Sequence, residues 1–353
     1  VYTTDPCGVA RNRRGAQGRI DSHSRRQKLK RLDPAGPPER ISTRCWRIPL
    51  PDPFVPGVTS AFVLVSEAGL PPWLLDSGAD MPESEAALRA GLGVLATSPE
   101  SVSGVVLSHT HLDHSGGLLR WRPTRLLVHE NAVREMRNLR QASSRGRAAL
   151  QIMGVPAELV GKLAPEAEPV GSAPFARTPV SDPVSGSEGS IPSSGGWRWI
   201  LAEGHAPGHL MVFHPEDRVL LVADQFLHRW KTPIRISDPE EDSFGLYLDS
   251  LDRALALQPL IVCSSHTGTI QPAIPFLEDR RGVLNRQLDR TLGAVEQGAT
   301  TAWEAVAGGG DRQLGGGLLI LYLRERLAML RHLAAGGVLV RQLQDGAEHF
   351  IPA

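Results

Sequence analysis

Four side chains that can bind a metal ion fall within six residues in the segment Leu107-Ser108-His109-Thr110-His111-Leu112-Asp113-His114-Ser115-Gly116-Gly117. Imidazole and carboxylate groups cannot share a dry interior without partners, because burying their polar atoms is costly unless those atoms are satisfied. A mixed nitrogen and oxygen donor set suits zinc, with iron or manganese as alternatives. The chemistry such a set supports is metal-assisted hydrolysis. A bound divalent ion lowers the pKa of water to about 7 and stabilises the oxyanion formed when that water attacks a carbonyl or phosphoryl centre. The competing reading is a solvated polar loop with histidines by chance, and four donors in six residues argue against it.

These donors need elements to hold them. The apolar run 104–107 reads as a buried strand and 118–121 as a helical stretch, so the donors lie on a strand-to-helix turn where side chains can converge. Three further donors follow at greater distance. His205 lies in Gly204-His205-Ala206-Pro207-Gly208-His209, just after the strand-like run 197–202; Asp224 ends the apolar run 219–223; His266 follows the strand-like run 260–263. Each stands at the C-terminal end of a buried strand, where sheet-based sites gather their functional groups. More strands are expected at 62–65, 73–75 and 210–213, and helices at 83–92 and 247–257, an alternation in which helices cover a sheet. Residues 171–196, rich in Gly, Ser and Pro, are expected to form a long surface loop. Beyond the motif, His209 reads as structural. His228, four residues past Asp224, reads equally as a pocket-lining or a surface group.

Composition bounds the rest. The chain has 353 residues, 41% of them hydrophobic, 38 Lys plus Arg against 38 Asp plus Glu and a sequence pI near 7.3, so bulk charge draws it to neither nucleic acid nor membrane. No apolar run approaches the roughly 18–20 residues needed to span a bilayer. Cys7, Cys45 and Cys263 are scattered, which points to a reducing, cytoplasmic setting rather than a disulfide framework. Residues 1–42 are expected to be a disordered basic tail: 1–40 hold ten Arg or Lys against four Asp or Glu, an excess of six, with little apolar content. Such a leader could serve in targeting or as a weak nucleic-acid arm; the expectation is an inert segment. Residues 276–353 differ again. Leu284, Leu288, Leu292 and Val295 share a helical face, Thr301 and Glu304 have capping-box spacing, and Leu319, Leu323, Leu327, Leu330 and Leu333 form a stripe stopped by Gly336-Gly337. A hairpin about Asp345-Gly346 closes the chain, and helices followed by a hairpin resemble a winged-helix module.

His109-Thr110-His111-Leu112-Asp113-His114 resembles the signature of the metallo-β-lactamase superfamily, and His205, Asp224 and His266 match its later ligands in order. The resemblance covers roughly residues 43–275. It implies an α/β (α+β) fold, a four-layer αβ/βα sandwich, here with a small C-terminal winged-helix domain at 276–353. It also implies a binuclear centre of two zinc ions: His109, His111 and His205 hold the first, Asp113, His114 and His266 the second, and Asp224 bridges them. Asp113 could in addition orient a bridging hydroxide or handle its proton, and Asp76 matches an aspartate that steadies the site. The sequence departs from the family at the last ligand, which stands in Ser264-Ser265-His266-Thr267-Gly268 rather than a Pro-Gly-His-Gly-like turn.

The resemblance also ranks substrates. β-Lactamases of this fold lack a carboxylate at the bridging position, so Asp224 argues against antibiotic hydrolysis. The pattern is shared by glyoxalase II-like thioesterases, lactonases and RNA-cleaving branches. Leu227 stands where lactonases often carry tyrosine, and the 41 residues between Asp224 and His266 leave no room for the inserted domain of RNA-processing members. With its C-terminal module, the chain is similar to the glyoxalase II-like branch that contains β-lactamase-like protein 2. Residues 276–353 hold nine Arg against nine Asp plus Glu, a poor balance for binding phosphates, so a lid or homodimerisation element is expected there. The expected activity is hydrolysis of a small ester or thioester, with single-strand-specific endoribonuclease as the alternative, and neither needs a membrane.

Overall fold

The computed structural model describes residues 36–54, 57–138, 145–167, 182–228, 231–307 and 315–353; the expected basic tail falls outside these up to residue 35. The first sheet has seven strands in chain order: β1 (Glu39–Arg40), β2 (Cys45–Pro51), β3 (Val58–Leu64), β4 (Trp73–Leu75), β5 (Gly104–Val106), β6 (Leu126–His129) and β7 (Asp182–Val184). Pairing is antiparallel from β1 to β4 and parallel from β4 to β7. The second sheet orders β13 (Gly268–Ile270), β12 (Ile261–Ser264), β11 (Val219–Ala223), β10 (Leu210–His214), β9 (Arg198–Leu201) and β8 (Glu188–Ser190), antiparallel except between β11 and β12.

The apolar runs are continuous because both faces of each sheet are covered, and the two-residue period of a strand divides them. Phe62, Leu64, Leu75, Val106 and Leu127 meet Leu210, Val212, Val219 and Leu221 between the sheets. Their chain neighbours Val63, Leu74, Val105 and Val128 face Leu88 and Leu92 of helix α1 (Pro82–Val94) on the outside of the first sheet. Met211, Phe213, Leu220 and Val222 face outward from the second sheet onto helices. The order helix, sheet, sheet, helix is the expected four-layer sandwich.

A short helix α2 (Leu112–Ser115) follows β5, and α3 (Glu130–Asn138) follows β6; α4 (Arg145–Ile152), α5 (Ala157–Ala167) and α6 (Ser243–Ala256) complete the first part of the chain. Next come α7 (Ala273–Glu296), α8 (Ala302–Ala307), α9 (Gly316–Ala335) and the hairpin β14 (Leu339–Gln344) and β15 (Ala347–Pro352). Thr301 Oγ1 accepts from the Glu304 N–H at 3.2 Å while the Glu304 carboxylate accepts from the Thr301 N–H at 3.2 Å, so the capping box opens α8 as its spacing predicts. Leu319, Leu323, Leu327, Leu330 and Leu333 are all buried. The hairpin turns on Asp345 (φ 51°) and Gly346 (φ 82°), the left-handed pair that a two-residue turn favours.

Three expectations are corrected. Residues 39 and 40 do not belong to a disordered tail, since they pair with Trp46 and Arg47 and Glu39 forms an ion pair with Arg47 at 3.1 Å. The stretch 171–196 is not one loop: its described part holds β7 and β8, the outer strands of the two sheets. Edge strands pair through the backbone and need little apolar content, and an edge tolerates Pro183, so no hydrophobic pattern betrays them. The break expected between 275 and 276 falls inside α7.

Candidate metal centre

The C-terminal ends of β4, β5, β9, β11 and β12 lie at one end of the sandwich, and every expected donor sits there. β5 leads into Ser108 and His109, and α2 presents Asp113 and His114 in succession. Gly117 lets this turn sit against the β4 end, because a Cβ there would meet the Ser77 carbonyl oxygen at 2.2 Å. His205 hangs on the β9–β10 turn, entered through Gly204 at φ 116°, a conformation open to glycine. A register shift between Leu221 and Ala223, with Ala223 at φ 45°, bends the end of β11 and re-aims Asp224.

Two groups of donors result, with the ligand atoms of each lying within 4.8 Å of one another: His109, His111, His205 and Asp224 in one, and Asp113, His114, Asp224 and His266 in the other. The structure therefore brings all seven expected residues together and places Asp224 in both groups. In the first, His109 Nε2 lies 2.9 Å from His111 Nδ1, and His205 Nε2 lies 3.3 and 3.2 Å from those two atoms. In the second, His266 Nε2 is 3.1 Å from both the Asp113 and Asp224 carboxylates, and His114 Nε2 is 3.3 and 3.4 Å from the same pair.

The outer ring nitrogens of His109, His114, His205 and His266 are held as well. Asp76, at φ 64°, accepts from the Ser108 N–H and hydroxyl at 2.7 Å each and from His114 Nδ1–H at 2.8 Å. Since the Ser108 hydroxyl donates to Asp76, it accepts from His109 Nδ1–H at 3.0 Å. His205 Nδ1–H donates to the Pro233 carbonyl at 2.8 Å. His266 Nδ1 faces the Val58 carbonyl at 3.3 Å and Asp52 at 3.6 Å. In His109 and His205 the bond puts the proton on Nδ1 and leaves the Nε2 lone pair aimed inward, while His114 and His266 turn Nε2 towards the two carboxylates.

Burial, reinforced by its neighbouring imidazoles, drives the His109 ring well below the usual histidine range. Burial likewise takes His111 down to about 3 and lowers His205. The second group behaves oppositely. Burial alone would lower His266 and His114, but the carboxylates of Asp224 and Asp113 outweigh it, lifting His266 to about 10 and His114 well above its ordinary value. Asp113 and Asp224 are held low by the same imidazoles against the opposing effect of burial.

These residues fit divalent ions. Nitrogens about 2.0–2.1 Å from a tetrahedral zinc lie roughly 3.3–3.4 Å apart, close to the two edges of the first triangle that meet at His205. Bare, buried lone pairs at 3.3 Å with no proton between them repel, and a cation relieves that repulsion. Asp224 Oδ1 is buried and finds no hydrogen-bond partner among the described residues, as expected of an atom reserved for an ion.

His209 is fully buried with its ring 5.0 Å from that of His109, behind the first group and in neither. His228 is half-buried; its N–H donates to Thr267 Oγ1 at 3.1 Å and its ring stands edge-on to Phe276 at 5.7 Å, beside the His266 turn. Sequence reasoning missed Asp52 and Ser108, which touch the donors from behind and carry no motif. Their only signal is a polar residue flanking a donor or a strand end.

The model of the metallo-beta-lactamase superfamily matches residues 55–266. "Probable metallo-hydrolase YflN" of Bacillus subtilis (strain 168) is 26% identical over 181 residues, which are 48% of this chain and 57% of that protein. This chain thus spans little more than half of that relative's length. Two crystal structures share the fold. A metallo-beta-lactamase family protein, TTHA1429 from Thermus thermophilus, is 22% identical with a TM-score of 0.68, covering 89% of this chain and 100% of that one. A beta-lactamase domain protein from Burkholderia ambifaria is 21% identical with a TM-score of 0.72, covering 90% and 94%. With the family match spanning most of the sandwich and every signature donor gathered at its one end, this chain belongs to the metallo-beta-lactamase superfamily.

Proposed function

We propose that this protein is a hydrolase with two divalent metal ions, zinc in the first instance, that cleaves a small ester or thioester. The observation that carries the reading is the pair of donor groups sharing Asp224. His109, His111 and His205 would hold one ion; Asp113, His114 and His266 the other; Asp224 would span both. The nitrogen-rich first group favours zinc, whereas the two carboxylates of the second suit iron or manganese equally. When bound, such ions acidify a water and polarise the scissile carbonyl. The chain's own part is to aim the donors through Asp76, Ser108 and Pro233, and to offer the Asp113 carboxylate for orienting the attacking water. Kinship with YflN, whose name describes a metallo-hydrolase, supports the reaction class.

The preference for a small acyl substrate rests on the C-terminal part, proposed here as a winged-helix module that walls the site. Arg280 of α7 donates to the Leu227 carbonyl, Phe276 meets His228, and Lys231 pairs with Glu325 of α9 beneath the Tyr322 ring. A screen of metal-loaded protein against acyl thioesters, esters, lactones and single-stranded RNA tests this, with Asp224→Ala as the inactive control. Thioester or ester turnover that disappears in the control is expected. Cleavage of RNA alone would replace the reading with a ribonuclease.

A further inference from the structure

The turn that carries His205 and the strand end that carries Asp224 come from different connections, yet their donors must meet within a few tenths of an ångström for one carboxylate to serve two groups. Gln225 joins them. Gln225 Nε2 donates to the main-chain carbonyl of Glu203 at 2.7 Å, and the Glu203 carboxylate accepts from the Gly208 N–H at 2.8 Å and from Asn131 Nδ2 at 3.0 Å. Both ends of the 203–208 turn are thereby tied to the residue next to Asp224. Gln225 is fully buried, and its Oε1 finds no hydrogen-bond donor among the described residues. An unsatisfied buried carbonyl costs about 1–3 kcal/mol, which an apolar side chain of the same shape would avoid. The amide's contact with Glu203 O is what links the turn to the strand end.

We propose that Gln225 is a positioning residue that sets the spacing of the two donor groups by locking the Asp224 strand end to the His205 turn. The inference rests on the two-metal reading above. A second contact to the same carbonyl supplies the contrast: the Ser250 hydroxyl of α6 is shared between Glu203 O at 2.9 Å and Leu246 O at 2.8 Å and, among the described residues, has no link to the Asp224 strand end.

The test uses the full chain, with zinc affinity read by chelator competition, the visible spectrum of the cobalt-loaded protein, and melting of the metal-free protein. Gln225→Met, with Gln225→Leu as a second variant, is expected to weaken zinc binding about 10–100-fold and to alter the cobalt spectrum. Metal-free melting should hardly move, because the orphaned carbonyl leaves with the donor. Ser250→Ala should leave affinity and spectrum as in the wild type. Wild-type affinity in both Gln225 variants would overturn the proposal, as would an equal loss in Ser250→Ala, which would reveal general loosening. A wild-type protein that takes up no metal would instead overturn the two-metal reading and this proposal with it.

Discussion

Asp76 belongs to neither donor group, yet it accepts three hydrogen bonds, two from Ser108 and one from His114. It therefore fixes the backbone entering the motif and the tautomer of one donor at once. Asp76→Asn is expected to lower affinity for the ion proposed on Asp113, His114 and His266 about 10–100-fold, since a carboxylate behind a ligating imidazole both orients it and raises its basicity. Chelator competition reads the change, and an unaltered affinity would show that His114 is held by other contacts. The seven candidate donors were legible in the sequence because four of them fall within six residues and the other three end apolar runs. Their supporters were not. Asp52 and Val58 face His266 across more than two hundred residues, and that pairing arises only when one sheet stacks on the other.

At the scale of elements, the strands could be read because both faces of each sheet are buried, which makes their apolar runs continuous. β7 and β8 could not, because edge pairing needs no such run. Helix α8 was legible through its cap, and the cap has a measurable role. Burial would raise the Glu304 carboxyl, but hydrogen bonds from Thr300 and the Thr301 N–H hold it below the ordinary glutamate range. Its contribution is thus present above the unfolded glutamate pKa and fades as pH falls through the lower folded value. Glu304→Ala should cost about 1 kcal/mol in denaturant unfolding near neutrality, with the difference shrinking in acid. A difference independent of pH would contradict the capping role. Gly117→Ala addresses the contact between α2 and the end of β4. Its Cβ would meet backbone rather than a flexible side chain, so a loss of about 1–3 kcal/mol is expected. Unchanged unfolding would mean that the two turns are less tightly apposed.

Over the whole molecule, the C-terminal helices are part of the main core: Leu284, Leu323, Leu327 and Leu330 lie in the same apolar layer as Leu220, Val222 and Tyr247. Deleting 276–353 should therefore abolish cooperative folding, because exposing several such side chains forfeits about 1.5–3 kcal/mol each. A truncated chain melting like the full protein would contradict this. The even balance of nine Arg and nine acidic residues in the same region predicts weak binding of single-stranded RNA at physiological salt. The sequence showed the amphipathic stripes of this region but not what they pack against, because a stripe names a buried face and not its partner. The central claim, that the two donor groups hold two ions through a shared Asp224, is tested most directly by elemental analysis of protein purified without chelator and reconstituted with zinc. About two equivalents per chain are expected from the two donor groups, and less than about half an equivalent would contradict the account.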